Sequence, residues 1–173
     1  MTGGQPRGGR PSLRPDMLRT HGDGRTKLID VLKNEHIVPA DGCHWESTMP
    51  ETPSATVDDL VAALSAQAPR DASAPADITV DGYAGKSITL HVPDPMPADC
   101  DVDLFCTMAN PDLGSGPNAC ERIAQGPGQI DELWIVDVDG TLVLIDAAYY
   151  EGTPDEHVEE MRTIVDSITF EAP

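Results

Sequence analysis

The sequence predicts an α+β domain: an antiparallel sheet packed by two amphipathic helices, α/β/α sandwich-like, with disulfide-linked loops. Two segments, starting near residues 56 and 155, carry apolar residues at helical spacing. Between and around them lie apolar runs separated by turn residues, the clearest being Leu133–Val138 and Thr141–Ala148 about Asp139-Gly140. Four cysteines in 173 residues complete the picture.

Thr26–Val38 has apolar residues at 28, 29, 31, 32, 37 and 38 and is read as strand, with a helical turn before a strand as the other option. Pro39–Thr56 is a loop holding Cys43, Trp45, Pro50 and Pro53. Thr56 then caps a helix whose first turn carries Asp58 and Asp59, acids that suit the positive end of the helix dipole. Val57, Leu60, Val61 and Leu64 form its buried stripe through about Gln67. Ile78–Val80 and Ser87–Val92 read as strands, and Ile88, Leu90 and Val92 alternate with Thr89 and His91 as on a sheet with one buried face. Prolines 93, 95 and 97 end the second strand. Ala98–Asn118 is the least regular stretch, and a short strand is expected at Ala119–Ala124. Gln125-Gly-Pro-Gly-Gln129 is a turn. Asp139-Gly140 marks a hairpin, because a type I′ turn needs positive φ at both central positions. Thr153-Pro-Asp-Glu156 has the layout of a capping box with proline at the first helical position. Val158, Met161, Ile164, Val165 and Ile168 continue at helical spacing, and Ile168–Phe170 is expected to leave the helix and join the sheet edge as a last strand.

The charge is uneven. The chain as a whole has net charge -19. Residues 1–27 hold six Lys/Arg against Asp16 and Asp23, whereas the rest holds five Lys/Arg against 28 Asp/Glu. The basic stretch is rich in Gly and Pro without apolar periodicity, so residues 1–26 are read as a disordered tail and 27–173 as a single domain. No apolar run follows the basic start, so no export signal is visible there. The acidic balance argues against nucleic acid as a partner. No stretch approaches the ~20 apolar residues of a transmembrane helix.

The cysteines Cys43, Cys100, Cys106 and Cys120 allow three pairings. The preferred one joins Cys43 to Cys100 and closes the Gly/Pro/Asn-rich segment between Cys106 and Cys120, where a local bridge would restrain a loop unable to order itself by burial. A zinc site is disfavoured because no Cys-x-x-Cys is present.

Chemical motifs are weak. Ile135-Val-Asp-Val-Asp-Gly-Thr-Leu142 resembles the first motif of the haloacid-dehalogenase phosphatases. There the two aspartates, here Asp137 and Asp139, would serve as nucleophile and acid/base and help to hold Mg²⁺. That chemistry requires a following strand-to-helix crossover and a later lysine, yet no lysine follows Gly140. The hairpin reading is therefore preferred. Asp99, Asp101 and Asp103 begin like an EF-hand loop, but Leu104 and Asn110 stand where Gly and Glu are required, which leaves at most an irregular Ca²⁺ site with Asp94 and Asp112. His157-x-x-Glu160 reads as exposed helix surface. Trp45 and Trp134 are too few for a carbohydrate platform on sequence grounds.

The block from Gln125 to Gly140 (QGPGQIDELWIVDVDG) is similar to one found in uncharacterised extracytoplasmic domains of actinobacteria and related bacteria, often attached to membrane-anchored or lipoprotein chains. Ala40-Asp-Gly-Cys-His-Trp45, Thr56–Leu64, Val80-Asp-Gly-Tyr-Ala-Gly-Lys86, Pro97-Ala-Asp-Cys-Asp101 and Ile164–Phe170 resemble that family in order, so the likeness spans about residues 28–172. It implies an extracytoplasmic location, supports the Cys43–Cys100 bridge and carries no named activity. The closing helix and Ser-x-x-Phe segment also resemble the end of PsbP-like α/β/α sandwiches. Family members have an upstream strand and an anchor or signal where this chain has its basic tail, which is what an N-terminally truncated domain would show.

The function expected is a non-enzymatic extracytoplasmic ligand- or protein-binding domain without cofactor, the alternative being a Mg²⁺-dependent phosphatase-like hydrolase. His44, Trp45, Asp101, Asp103, Gln125 and Gln129 are the candidate binding residues, carried on loops that a Cys43–Cys100 bridge would draw together. Ligand, partner and oligomeric state stay open.

Overall fold

The computed structural model describes residues 28–33, 36–114, 116–124 and 126–171. The tail read as disordered, and Gln125, lie outside them. The chain is α+β. Its strands are β1 (Leu28–Leu32), β2 (Ala76–Val80), β3 (Tyr83–His91), β4 (Cys106–Ala109), β5 (Cys120–Ile123), β6 (Gln129–Val138) and β7 (Thr141–Tyr150). Its helices are α1 (Trp45–Thr48), α2 (Val57–Ala66) and α3 (Asp155–Asp166). Five strands form one antiparallel sheet in the order β1-β7-β6-β3-β2, and β4 and β5 form a separate ribbon.

Two tight turns set the register. Val138 pairs with Thr141 across Asp139 (φ 52°) and Gly140 (φ 86°). Val80 pairs with Tyr83 across Asp81 (φ 48°) and Gly82 (φ 83°). Each places two residues at positive φ, the geometry whose twist matches flanking strands. Only the first of these hairpins was expected.

Both faces of the sheet are covered. On one, α3 lays Val158, Met161 and Val165 over Val136, Val143, Ile145 and Ala147. On the other, α2 lays Leu60, Val61 and Leu64 over Ile88, Leu90, Leu133, Ile135 and Leu144, with Met108 of β4 closing the layer. Central β7 is therefore buried on both faces from Val143 to Ala148. The N-cap of α2 forms as its sequence predicts, with Thr56 Oγ1 accepting from the Asp59 amide (3.1 Å).

Several expectations need correction. The loop at 39–56 contains the short helix α1, and the irregular stretch at 98–118 contains β4, whose four residues are all buried. The capping box does not form: Pro154 is the N-cap, and Thr153 Oγ1 instead accepts from the Tyr150 amide (3.3 Å). Ile168–Phe170 makes no strand and pairs with neither edge strand, β1 or β2. The segment crosses instead to the β2–β3 turn, where the Phe170 amide donates to Asp81 Oδ2 (2.6 Å) and the Phe170 ring meets Tyr83 edge-on.

Candidate functional site

The loops at 39–55 and 98–130 meet at a covalent junction. Asp41 Oδ1 accepts from the amides of Cys43 (2.7 Å) and His44 (3.1 Å), turning the chain so that Cys43 faces Cys100. The two cysteines form a disulfide with their Cα atoms 4.4 Å apart. Backbone bonds fasten the junction further: Asp101 N donates to Cys43 O (2.8 Å), and Cys106 N to Gly42 O (2.8 Å). Gly42 has no room for a side chain, since a Cβ there would lie 2.4 Å from the Phe105 ring. The second disulfide, Cys106–Cys120, cross-links β4 to β5. Trp45 packs on it with Ala109 and Ala119.

An acidic rim surrounds the junction. The His44 ring lies 3.7 Å from the Asp99 carboxylate and 3.9 Å from that of Asp101. Asp101 Oδ2 accepts from the Glu46 amide (2.9 Å) and so ties the second loop to the start of α1. Beyond it the chain bends through Val102 (φ 48°) and Asp103 (φ 57°). Left-handed backbone at a β-branched residue is strained, and Val102 is also 45% exposed. Among the described residues, Cys43, His44 and Asp99 are the one set close enough to share a metal ion, and the Cys43 sulfur is already bonded to Cys100.

His44, Asp101 and Asp103 thus lie together at this surface. Trp45 (0% exposed) and Gln129 (1%) do not share it, being packed inside. The aspartates of the phosphatase-like motif serve the hairpin. Asp137 Oδ1 accepts from the Gly140 amide (2.7 Å), and Asp139 Oδ2 accepts from the Tyr83 hydroxyl (3.0 Å). The chain returns as β7, so the strand-to-helix crossover demanded by that chemistry is not formed. His157 and Glu160 lie on α3, with His157 beside Glu156 (3.8 Å).

Sequence reasoning missed the buried ionic network that seats the ribbon against the sheet. Arg70 donates to Asp131 Oδ2 (2.5 Å), Thr107 Oγ1 (2.8 Å) and the His91 carbonyl (3.1 Å). Arg122 of β5 pairs with Asp146 of β7 and approaches Asp131 (3.9 Å). Gln129 Nε2 donates to Asp131 Oδ1 (2.5 Å), and Gln67 Nε2 reaches the carbonyls of Pro39 and Thr107 (3.0 Å each). Burial pushes the Asp146 carboxyl up to about 7, with the Asp131 charge adding to the effect and Arg122 opposing it. A signal was present in the sequence. Asp131 and Asp146 occupy inward positions of the alternation that also places Leu133, Ile135 and Leu144, and a charge in that phase needs a buried partner.

Fold and junction together define the molecule as a disulfide-stapled α+β domain with an acidic, loop-borne surface. Compared with known proteins, the chain matches no family model and no curated protein.

Proposed function

We propose that this chain is a non-enzymatic extracytoplasmic domain that binds a ligand or protein partner through the junction of its two disulfide-tied loops. The observation that carries this reading is the convergence of His44, Asp99, Asp101 and the strained, exposed Val102 on the Cys43–Cys100 bridge. Positive φ at a β-branched residue is backbone strain, and such strain clusters at recognition and active sites. Two disulfides support an oxidising compartment, where such bonds persist. No helix among the described residues is long and apolar enough to cross a membrane. The acidic rim complements a basic ligand or protein surface.

The test places a photo-crosslinking residue at position 102 in cells that export the protein, with position 160 on the exposed face of α3 as control. A specific adduct from 102 that is absent from 160 supports the reading. Equal labelling from both positions, or none from 102, counts against it. Thiol counting on the exported protein is expected to find no free cysteine, and four free thiols would remove the compartment assignment.

A further inference from the structure

On the sheet face covered by α3, the apolar cluster beneath the helix draws on β2, β6 and β7, while Ser87 and Thr89 of β3 on the same face stay half-exposed. At the step between helix and open strand runs a groove of about 330 Å³, lined by Ser87, Thr89, Glu132, Trp134, Arg162 and Asp166. Register explains its floor. Ser87 pairs with Trp134 and Thr89 with Glu132, so two hydroxyls, an indole and a carboxylate stand side by side on one face. Arg162 and Asp166, one turn apart on α3, form the wall.

The polar groups are held in place. Arg162 donates to both oxygens of Glu132 (3.1 and 2.5 Å) and to Glu159 (2.5 Å). Tyr149 donates to Glu132 from the side (3.0 Å). Among the described residues, the side chains of Ser87, Thr89, Trp134 and Asp166 make no hydrogen bond, so their donors and acceptors are available to a ligand. An anion meets Glu132 and Asp166. A small cation pairs with Asp166 but leaves the hydroxyls and indole unused, Arg162 being already paired with Glu132 and Glu159. A neutral polyhydroxyl molecule carries no charge penalty and finds amphoteric hydroxyls, an ion pair offering fixed acceptors and donors, and an indole for its C–H surface.

We propose that this groove binds a neutral pyranose ring, with Trp134 as the stacking surface and Thr89 and Asp166 as hydrogen-bond partners of its hydroxyls. The groove lies near the lower end of small-molecule sites, of roughly 300–1,000 Å³, and is large enough for one ring. It is on the opposite sheet face from the loop junction, so it neither needs that reading nor falls with it. The count of two tryptophans argued against a sugar platform only because it left out the hydroxyls and ion pair that strand register sets beside one of them.

The experiment titrates the intact chain with methyl pyranosides of several configurations and with their two- to four-ring oligomers. Trp134 emission is the readout, Trp45 being fully buried. Isothermal titration serves Trp134→Phe, whose optical signal is lost. At least one sugar is expected to saturate with a dissociation constant of roughly 1 mM. Thr89→Val and Asp166→Ala, both at accessible positions, are each expected to weaken it roughly fivefold, with Asp166→Asn closer to the parent. Affinity rising with ring number assigns a polysaccharide chain, and affinity constant with ring number assigns a free sugar. The proposal is overturned if no sugar saturates below about 50 mM. It is equally overturned if butylamine or butyrate binds more tightly than every sugar, or if neither Thr89→Val nor Asp166→Ala changes the affinity.

Discussion

Two glycines separate two physical reasons for the same residue type. At Gly140 nothing lies within 4 Å of where a Cβ would stand, but φ is +86°. At Gly85 a Cβ would lie 2.0 Å from the Ile135 carbonyl oxygen and 2.7 Å from Val136 Cγ1. Gly140→Ala should therefore cost about 1 kcal/mol of backbone strain. Gly85→Ala should cost more, about 2–3 kcal/mol, because β3 must move off β6. Urea melts of the two variants check the order, and a larger loss at Gly140 would contradict it. The buried acid Asp146 supplies a pH prediction. Its carboxyl is raised from an ordinary 3.8 to about 7, so its protonated form favours the fold at low pH, and that contribution is lost as pH rises from about 4 to 7. His36 has the opposite sign. Burial lowers its pKa from the ordinary 6.5 while its Nε2–H donates to the Leu142 carbonyl (3.1 Å), so its contribution is present at higher pH and lost on acidification. The two must be separated by substitution. The stability of the parent relative to Asp146→Asn is expected to fall between pH 4 and 7, and a difference constant over that range would show that Asp146 does not titrate there.

The elements show which local signals survive tertiary packing. Helices α2 and α3 each have a threonine in cap-like surroundings, but only Thr56 accepts from a helix amide. Thr56→Ala should cost about 1 kcal/mol, whereas Thr153→Ala should cost less, its hydroxyl serving only the amide of Tyr150. Thermal unfolding of the pair is the check, and equal losses would refute the distinction. The hairpin of β6 and β7 was legible because Asp139-Gly140 demands one backbone geometry whatever surrounds it. β4 was not legible. Cys106-Thr-Met-Ala109 carries no alternation, since all four residues are buried, and its pairing with β5 depends on the Cys106–Cys120 bridge and on the Ile37–Ala109 contact from a distant segment. A final strand at Ile168–Phe170 was suggested by composition, but the segment is held by side chains of the β2–β3 hairpin, Asp81 taking the Phe170 amide and Tyr83 its ring, and not by an edge ladder.

For the molecule as a whole, the disulfides do the work of a third layer. Cys43, Cys100, Cys106 and Cys120 are all buried, and two satellite cores, around Phe105 and around Trp45, are built on their sulfurs. The bridges close spans of 57 and 14 residues. On chain-entropy grounds they are worth about 4 and 3 kcal/mol respectively. Full reduction should therefore lower the melting temperature by many degrees, and removing the Cys43–Cys100 bridge should cost more than removing Cys106–Cys120. Calorimetry of the two double Cys→Ser variants tests that order, and equal melting temperatures for parent and reduced protein would overturn the view of the bridges as core. The ionic network joins this layer to the sheet at Arg70 and Arg122. Arg122→Leu would strand Asp146 against Asp131 in the interior, and a loss of about 3–5 kcal/mol is expected in denaturant melts.

From its residues alone this chain specified an antiparallel α+β domain, the stripe of each helix, the hairpin at Asp139-Gly140 and a preferred cysteine pairing, because each rests on local periodicity, on turn chemistry or on a choice among three pairings. Tertiary structure decided which candidate residues share a surface. His44 meets Asp99 and Asp101 across a gap of more than fifty residues, while Trp45, the next residue after His44, turns inward onto a disulfide. It also decided that Asp131 and Asp146 face arginines, and that Ser87 and Thr89 stand beside Trp134 and Glu132. Burial and cross-strand register are properties of pairs of segments, and no single segment carries them.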